Sequence, residues 1–408
     1  MTERVVVCKS CDLAVKVDDD DTENFGICPR CGQRVKEKAL TAESDVAVMA
    51  ISAIIFLCIS IVEPFMSLNS HGIEASMNLF SIVSILGSKW GSLLYFFLFF
   101  TFFAPVSVLC LIVLLGFFKN WIPNSKVGKF YKFCHSMCMV DVFVFGVAVS
   151  LIKLTGLADV SFHTGFYTTI IFTAMMMFTC SKYKPQRLWD RIMSQERIEG
   201  LKTGITAKMQ GYKRCEECGY IFKADGEDDI CPRCSSVVGY RIHLSIQKSF
   251  SLLIAALILY LPSNLYPVMY TSLFGNESGS NIIEGVIVMY NMGSWFVAGV
   301  ILLASIFIPA FKIFSIAYLL AIVKFKINYS CKRMSRLFRF VLFVGRWSLI
   351  DVYVVIIMSA IVRIKSLIVI NPGFAIICFC MVVIITVFSA DSFDERLLWD
   401  VKENERSN

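Results

Sequence analysis

The stretch Cys215-Glu-Glu-Cys218, followed after twelve residues by Cys231-Pro-Arg-Cys234, decides how this chain folds. The same pattern opens the chain as Cys8-Lys-Ser-Cys11 and then Cys28-Pro-Arg-Cys31. Two CxxC turns at such separations present four thiolates that can surround one ion, which is the arrangement of a four-cysteine zinc ribbon. Each pair of turns is followed by a long apolar region. The pattern predicts two tandem copies of one unit, each a small zinc-binding head followed by a bundle of membrane helices.

The predicted zinc ions are structural. Four thiolates leave the ion no open position for water, so it cannot act as a catalytic zinc. Zinc binding, on the order of 10–16 kcal/mol in zinc-finger peptides, would stabilise a head that is too small to bury much core. The rival interpretation is a redox pair, but thioredoxin-like chemistry uses one CxxC on a βαβ frame. Four CxxC motifs at ribbon spacing favour zinc.

The composition indicates a membrane protein. Of 408 residues, 56% are hydrophobic and 17% are charged, with a mean hydropathy of +0.67. Soluble domains carry about 25% charged residues. The first 45 residues contain no apolar run suited to a signal peptide, so the N-terminal head is expected in the cytoplasm, where thiols stay reduced.

The apolar regions predict eight spans, four in each copy. The predicted spans are 46–62, 92–118, 137–152, 165–180, 250–261 (extending towards 269), 295–323, 340–362 and 366–389. The expected fold class is therefore an all-α polytopic membrane protein with two tandem four-helix bundles. The predicted domains are the first ribbon at 1–45, the first bundle at 46–190, the second ribbon at 205–245 and the second bundle at 246–400.

Short matching motifs support an internal duplication. Asp141-Val142 matches Asp351-Val352, and Trp189-Asp190 matches Trp399-Asp400, both with an offset of 210 residues. Their fixed order relative to the two ribbons makes chance an inadequate explanation.

The distribution of Lys and Arg predicts the orientation. The loops at 119–135, 181–249 and 324–339 carry four, thirteen and six of these residues, whereas the alternating loops carry two or fewer. Both termini and both ribbons are therefore expected in the cytoplasm, and the two copies are expected to be parallel repeats. Membrane orientation explains the net charge of +7. Neither ribbon has the aromatic and basic surface of a nucleic-acid-binding module, so no nucleic-acid partner is expected.

Polar residues inside the predicted spans are concentrated in the second copy. Lys312 and Ser305 lie seven residues apart and share a helix face, the next span contains Ser348 and Asp351, and the last contains Thr386. A charged side chain at mid-bilayer costs about 2.5–3.5 kcal/mol on insertion scales, which favours pairing inside the bundle. The hypothesis is a Lys312–Asp351 pair with the three hydroxyl residues as hydrogen-bonding neighbours, serving a proton relay or gate. The alternative is an ion pair that only fixes helix register.

The first copy lacks this network, because Val108 stands at the position that matches Lys312. The chain also lacks the phosphate-binding GxxxxGK[ST], the GxSxG elbow and the HExxH zinc motif, and its four histidines form no spaced cluster. No enzyme activity is expected, and no means of hydrolysing ATP is visible.

Two CxxC ribbons, each ahead of a bundle with a Pro-x-Met exit (Pro64 to Met66, Pro267 to Met269) and an Asp-Val span, resemble the paraquat-inducible protein A family, and within it the LetA (YebS) branch. The resemblance covers essentially the whole chain. It implies a Gram-negative inner-membrane component that moves phospholipid between membranes, with a periplasmic MCE-domain protein that forms a hydrophobic tunnel as its partner. It also implies zinc at all eight ribbon cysteines and the polar network of the second bundle.

Several functions remain open at this point. The favoured one is a lipid transporter or loader. A second is a non-transporting membrane anchor for the partner, and a third is a membrane redox enzyme that uses the CxxC pairs. A proton-coupled small-solute transporter built around Lys312 and Asp351 is a further alternative.

Overall fold

The structure is a computed structural model that describes residues 3–18, 26–35, 42–70, 73–89, 91–118, 120–154, 159–196, 198, 200–273, 276–291, 293, 295–327, 329–362 and 368–407. The N-terminal half contains β1 (Glu3–Val7), β2 (Ala14–Asp18), α1 (Glu43–Val62), β3 (Met66–Ser70), β4 (Ile73–Met77), α2 (Leu79–Lys89), α3 (Gly91–Leu98), α4 (Ala104–Phe117), α5 (Ser125–Met137), α6 (Val140–Leu154), β5 (Asp159–Phe162), α7 (Thr164–Lys182) and α8 (Pro185–Ile192). The C-terminal half contains β6 (Tyr212–Arg214), β7 (Ile221–Lys223), β8 (Asp229–Ile230), β9 (Val237–Val238), α9 (Ser245–Leu265), β10 (Met269–Leu273), β11 (Asn276–Ser280), α10 (Ile282–Asn291), α11 (Trp295–Leu302), α12 (Ile308–Phe325), α13 (Cys331–Trp347), α14 (Ile350–Val362), β12 (Ile368–Pro372), α15 (Phe374–Ser392) and α16 (Leu397–Ser407).

The same order of elements occurs twice, from α1 to α8 and from α9 to α16. Each series includes a three-stranded antiparallel sheet in which the first strand is central, with the orders β4-β3-β5 and β11-β10-β12. Each also has a π-helical turn, at Phe99–Phe103 between α3 and α4 and at Leu303–Phe307 between α11 and α12. A proline follows each turn, at Pro105 and Pro309. Because proline has no N–H to donate within a helix, a wider turn just before it accommodates the missing bond.

The two series meet through α6 and α14, which pack along each other. Phe143 and Tyr353, which lie 210 residues apart, contact each other edge to face with ring centroids 5.6 Å apart. A Cβ added at Gly146 would lie 2.7 Å from the Cβ of Tyr353, so only glycine permits this approach. One apolar core includes buried residues of both halves, for example Phe97 and Phe379.

Within the described residues, six helical segments are long and apolar enough to cross a membrane: Glu43–Val62, Leu93–Phe117, Ser125–Ser150, Ser245–Leu265, Ala298–Phe325 and Phe374–Ser392. Two of the eight predicted spans are not among these six. The span predicted at 165–180 forms α7, which has sufficient length but contains five threonines. The helix α14 has only 13 residues. The count of eight therefore stays a prediction.

The expectation of an all-α fold needs a correction, because the chain is mostly helical but also contains short strands. The segment Met269–Leu273 carries Tyr and Thr, which favour strands, and its partner β11 begins with turn-forming Asn276. The predicted span 340–362 is also divided, since α13 ends at Trp347 and α14 begins at Ile350. The helix α13 has basic residues on its exposed face and is amphipathic rather than uniformly apolar.

Candidate metal centres and polar site

All four CxxC turns have the same backbone geometry. The residue after the second cysteine adopts a left-handed conformation, with φ of 61° at Asp12, 73° at Gly32, 72° at Gly219 and 55° at Ser235. The N–H of that residue donates to the carbonyl of the first cysteine at 2.9–3.0 Å in every turn. This reversal of the chain brings the two thiols of each turn to the same side, which is what a shared metal ion requires.

The eight cysteines predicted as ligands form two buried clusters. The four sulfur atoms of Cys8, Cys11, Cys28 and Cys31 all lie within 4.8 Å of one another, and so do those of Cys215, Cys218, Cys231 and Cys234. The closest pairs, such as Cys8 with Cys31, are 3.5 Å apart. Zinc–sulfur bonds of about 2.3 Å in a tetrahedron place the sulfur atoms about 3.8 Å apart. Both clusters therefore fit a four-coordinate thiolate-bound ion such as zinc, with no position left for substrate.

The first ribbon packs on the second repeat. Arg339 of α13 donates to the Gln33 side-chain oxygen at 2.6 Å and to the Cys31 carbonyl at 3.1 Å. The Arg30 guanidinium lies 4.7 Å from the ring centre of Trp399 in α16. Buried Leu13 belongs to the same apolar cluster as Leu398.

The second ribbon packs on the first repeat in a corresponding way. Lys132 of α5 donates to the Glu216 carbonyl at 2.8 Å. Arg233, the counterpart of Arg30, pairs with Asp190 of α8 at 3.0 Å. Trp189 is buried against the cysteine cluster. The first ribbon therefore docks on the second repeat, and the second ribbon docks on the first repeat. We call the ribbons crossed, because each docks on the repeat that does not directly follow it in the sequence.

The two ribbons also contact each other through the segment between the repeats. Ala14 of β2 donates to the Ile205 carbonyl at 3.0 Å, and Ala207 donates to the Asp12 carbonyl at 2.8 Å. Val7, Ala14, Leu201 and Ile221 share a small buried core. The ribbons and the segment at 200–211 therefore form one continuous head.

Arg241 lies at the centre of an ionic cluster that fastens this head to α16. Its guanidinium donates to both carboxylate oxygens of Asp400 at 2.7 Å and to Asp12 at 3.2 Å. Lys208 pairs with Asp400 at 3.5 Å. Burial alone would raise the pKa of the Asp400 carboxyl, but the hydrogen bond and charge of Arg241 outweigh it and the net pKa is lowered.

A second buried ion pair lies beside the first. Arg396 holds Asp394 at 2.8 Å and reaches Glu216 of the second ribbon at 2.7 Å. Neither cluster was predicted from the sequence. The matching Trp-Asp pairs at 189–190 and 399–400 were the only sequence signal for these contacts.

Lys312, the central residue of the predicted polar network, is buried in α12 with 1% of its surface exposed. Its Nζ has no hydrogen-bond partner among the described residues. A Cβ added at Gly345 of α13 would lie 3.6 Å from both Cε and Nζ, so the ammonium group lies directly against this glycine. Burial of an unpaired charge is costly, and such groups in membrane proteins are associated with function.

The three predicted hydroxyl residues are also buried. Ser305 lies in the second π turn, and Ser348 follows the end of α13 with its Oγ unpartnered among the described residues. Thr386 donates to the Val383 carbonyl at 2.9 Å within α15. Asp351 lies in α14, but its side chain is outside the part of the chain that the structure describes, so the Lys312–Asp351 pair stays a prediction. Gly345, which gives Lys312 its space, was not foreseen.

The first repeat has a different set at the matching positions. Thr101, Val108, Cys138 and Met176 correspond to Ser305, Lys312, Ser348 and Thr386. Thr101 donates to the Tyr353 hydroxyl at 3.4 Å, across the contact between the repeats. The buried lysine is therefore confined to one repeat, although the backbone is repeated.

Comparisons with known proteins identify relatives along the whole chain. The chain is 33% identical to the intermembrane transport protein PqiA of Escherichia coli K12 over 400 residues, which cover 97% of this chain and 95% of that protein. It is 29% identical over 415 residues to a probable intermembrane transport protein of Haemophilus influenzae, covering 99% and 97%. It is 24% identical over 399 residues to the lipophilic envelope-spanning tunnel protein A of E. coli K12, covering 97% and 91%. No solved structure matches it significantly.

These identities refine the expectation from the motifs. Identity is higher to the intermembrane transport protein PqiA than to the lipophilic envelope-spanning tunnel protein, so it does not favour the LetA branch over the rest of the family. The profile of the Paraquat-inducible protein A family matches residues 44–193 and again 246–403, which correspond to the two repeated series of helices. The chain belongs to the paraquat-inducible protein A family.

Proposed function

We propose that this chain is an inner-membrane transporter or loader that passes phospholipid to or from a periplasmic MCE-domain tunnel protein. Its relatives are named as intermembrane transport proteins, and none of those names denotes an enzyme. Six apolar helices of sufficient length are consistent with a multi-pass membrane protein. Zinc in both ribbons would stabilise the fold of the head that joins the two repeats.

The proposed orientation places the ribbons in the cytoplasm. The basic helices α5 and α13 pack against the ribbons, and positively charged segments favour the cytoplasmic side. The helix α1 starts at the ribbon end and is followed directly by the strands β3 and β4. In this orientation both three-stranded sheets face the periplasm, where they would meet the partner.

The observation that carries a gating role is the burial of Lys312 without a hydrogen-bond partner among the described residues. A buried amine is costly unless it has a partner. Such an amine can gain and lose a partner as the second repeat changes shape, and Asp351 is the partner that the sequence predicts. We infer that Lys312, with Asp351, Ser305, Ser348 and Thr386, forms the switchable part of the transporter.

The test is Lys312→Met, which removes the charge and keeps the length of the side chain. The matched control is Lys324→Met, the same substitution at an exposed position in the last turn of the same helix. We expect K312M to insert, bind zinc and copurify with its periplasmic partner, but to lose transfer of fluorescent phospholipid between reconstituted membranes. K324M should retain transfer.

Other outcomes would favour other functions. Wild-type transfer by K312M would exclude the gating role. If both variants restored outer-membrane integrity but changes in the two sheets did not, the chain would be an anchor for its partner. Proton-coupled uptake of a small solute without any lipid transfer would replace the lipid proposal altogether.

A further inference from the structure

A deep apolar cleft lies between the two repeats. One wall is the end of α3 and the first π turn, and the other is α15. The cavity has a volume of about 560 Å³, within the range of small-ligand pockets. Tyr95 and Cys380 contribute the only side-chain heteroatoms of the lining other than a thioether. The lining therefore favours a hydrocarbon occupant.

The wall from the first repeat is aromatic. Tyr95, Phe96, Phe99, Phe100 and Phe103 all line the cleft. Phe96 packs against Phe100 with centroids 4.6 Å apart, and Phe99 stacks on Phe103 at 5.6 Å. Three of these rings belong to the π turn, whose extra residue per turn changes the direction in which successive side chains point. The irregular turn is what brings these rings to one side.

The cleft has an open mouth and a closed floor. Tyr95, Phe103 and Met381 at the mouth are 75%, 51% and 44% exposed, whereas Phe100 and Cys380 at the floor are 9% and 7% exposed. A chain entering from the lipid would therefore pass exposed rings and end against buried ones. Both walls belong to helical segments with the length and apolarity of membrane spans.

The internal repeat tests whether ordinary contact with lipid could explain the aromatic wall, because the matching positions of the second repeat can be compared with it. The positions 204 residues after the five aromatic residues are Gly299, Val300, Leu303, Ala304 and Phe307. Only one aromatic ring remains on that side. Annular lipid would wet the cleft and the corresponding surface of the other repeat alike, whereas an aromatic wall on one side alone indicates a cleft adapted to a particular occupant.

The cleft also has a defined position along the length of the helices. Its first wall begins soon after the strands β3 and β4, and α15 follows β12 directly, so the cleft is in the half of the helical region next to the two sheets. We propose that this cleft binds one acyl chain of the transported phospholipid, with the head group towards the sheets. This inference rests on the proposed function and names where its substrate is held.

The test uses phosphatidylethanolamine that carries a diazirine in one acyl chain, as a trace component of vesicles containing the full-length protein. After illumination, mass spectrometry locates the cross-linked peptides. We expect cross-links in α3 and α15, and at least about tenfold fewer at the corresponding positions of α11 and α7, a ratio equivalent to about 1.4 kcal/mol.

A matched pair of variants places a tryptophan either in the cleft or at the matching position of the first repeat. Met381→Trp narrows the mouth of the cleft, and Ile171→Trp makes the same change 210 residues earlier, at an exposure of 41% against 44%. M381W should lower cleft cross-linking and phospholipid transfer about tenfold, while I171W leaves both unchanged. Cys380→Phe fills the floor instead and should act in the same direction as M381W.

The outcomes separate this inference from the proposed function. Two results would overturn the acyl-chain site. The first is equal cross-linking of the cleft and of the matching positions in α11 and α7 of the wild-type protein. The second is unchanged cleft cross-linking in both M381W and C380F. Cleft cross-linking that responds to M381W in a protein that transfers no phospholipid would support the site and refute the transport function. K312M should keep the cross-link while losing transfer.

Discussion

Replacing Arg241 should loosen the head from the second repeat. In Arg241→Gln the Asp12 and Asp400 carboxylates, 5% and 15% exposed as side chains, lose their shared guanidinium. Breaking a buried ion pair from one side costs about 3–5 kcal/mol. Lys208 still reaches both carboxylates, through its N–H to Asp12 at 3.2 Å and its Nζ to Asp400 at 3.5 Å. We therefore expect a smaller loss of about 2–4 kcal/mol in the free energy of local opening.

The assay is hydrogen exchange of the full-length, zinc-loaded protein in lipid nanodiscs. The Ile242 amide reports on the contact with the second repeat, because it donates to the Asp394 carboxylate at 3.0 Å. The Ala14 and Ala207 amides report on opening around Asp12, because both donate across the junction between the first ribbon and the segment after α8. A loss of about 2–4 kcal/mol corresponds to exchange roughly 30- to 700-fold faster. The control is Arg336→Gln, the same substitution at an exposed arginine of α13. In R336Q the reporter amides should exchange at the wild-type rate.

Two further measurements test the electrostatic reasoning. Adding Asp400→Asn to R241Q removes the uncompensated carboxylate, so the double variant should be less open than the sum of the single effects predicts. The pKa of the Asp400 carboxyl is lowered in the folded protein, so its stabilising contribution is present above the unfolded pKa and is lost as the pH falls through the folded value. The difference between R241Q and the wild type should then be constant from about pH 6 to about pH 8. Equal exchange in R241Q and R336Q would refute the idea that Arg241 fastens the head.

Two other substitutions test the metal centres and the contact between the repeats. Cys231→Ser should lower the zinc content from two ions to one per chain, measured by plasma emission spectrometry, whereas a content that stays at two would argue against four-thiolate coordination. Gly146→Ala should lower the thermal midpoint relative to Gly299→Ala, because overpacking against Tyr353 costs about 1–3 kcal/mol while both variants gain the same helix propensity. Equal midpoints for these two variants would mean that α6 and α14 separate easily.

The ribbons could be predicted from sequence because their geometry is local. Each CxxC turn is specified by residues within five positions, including the left-handed residue that follows the second cysteine. The packing of the ribbons on the opposite repeats could not be predicted in this way. Arg241 and Asp12 are 229 residues apart, and no local pattern connects them. Short-range rules therefore identify a metal site but not the surface on which it docks.

The helices and strands show the same limit. Long apolar runs predicted the positions of α1, α9 and α12 well, because a spanning helix depends mainly on composition. The strand at Met269–Leu273 pairs with the neighbouring β11 on one side. On its other side it pairs with Ile368–Pro372, which is about a hundred residues away in the sequence. Pro309 lies within a long apolar run, and the structure contains a π turn just before it. Proline indicates an irregularity without specifying its form.

The crossed ribbons restrict how the two repeats can move. A rotation about the contact between Phe143 and Tyr353 would shift α8 and α16 in opposite directions. Because each of these helices carries a ribbon and the ribbons share a core, such a rotation would have to break the head apart. A motion that keeps the ribbon end fixed would separate the repeats at the opposite end, beside the two sheets, where it would open part of the core that the two halves share. The apolar cleft between the first π turn and α15 lies at that end, so the motion that opens the repeats is also the one that would admit or release an acyl chain.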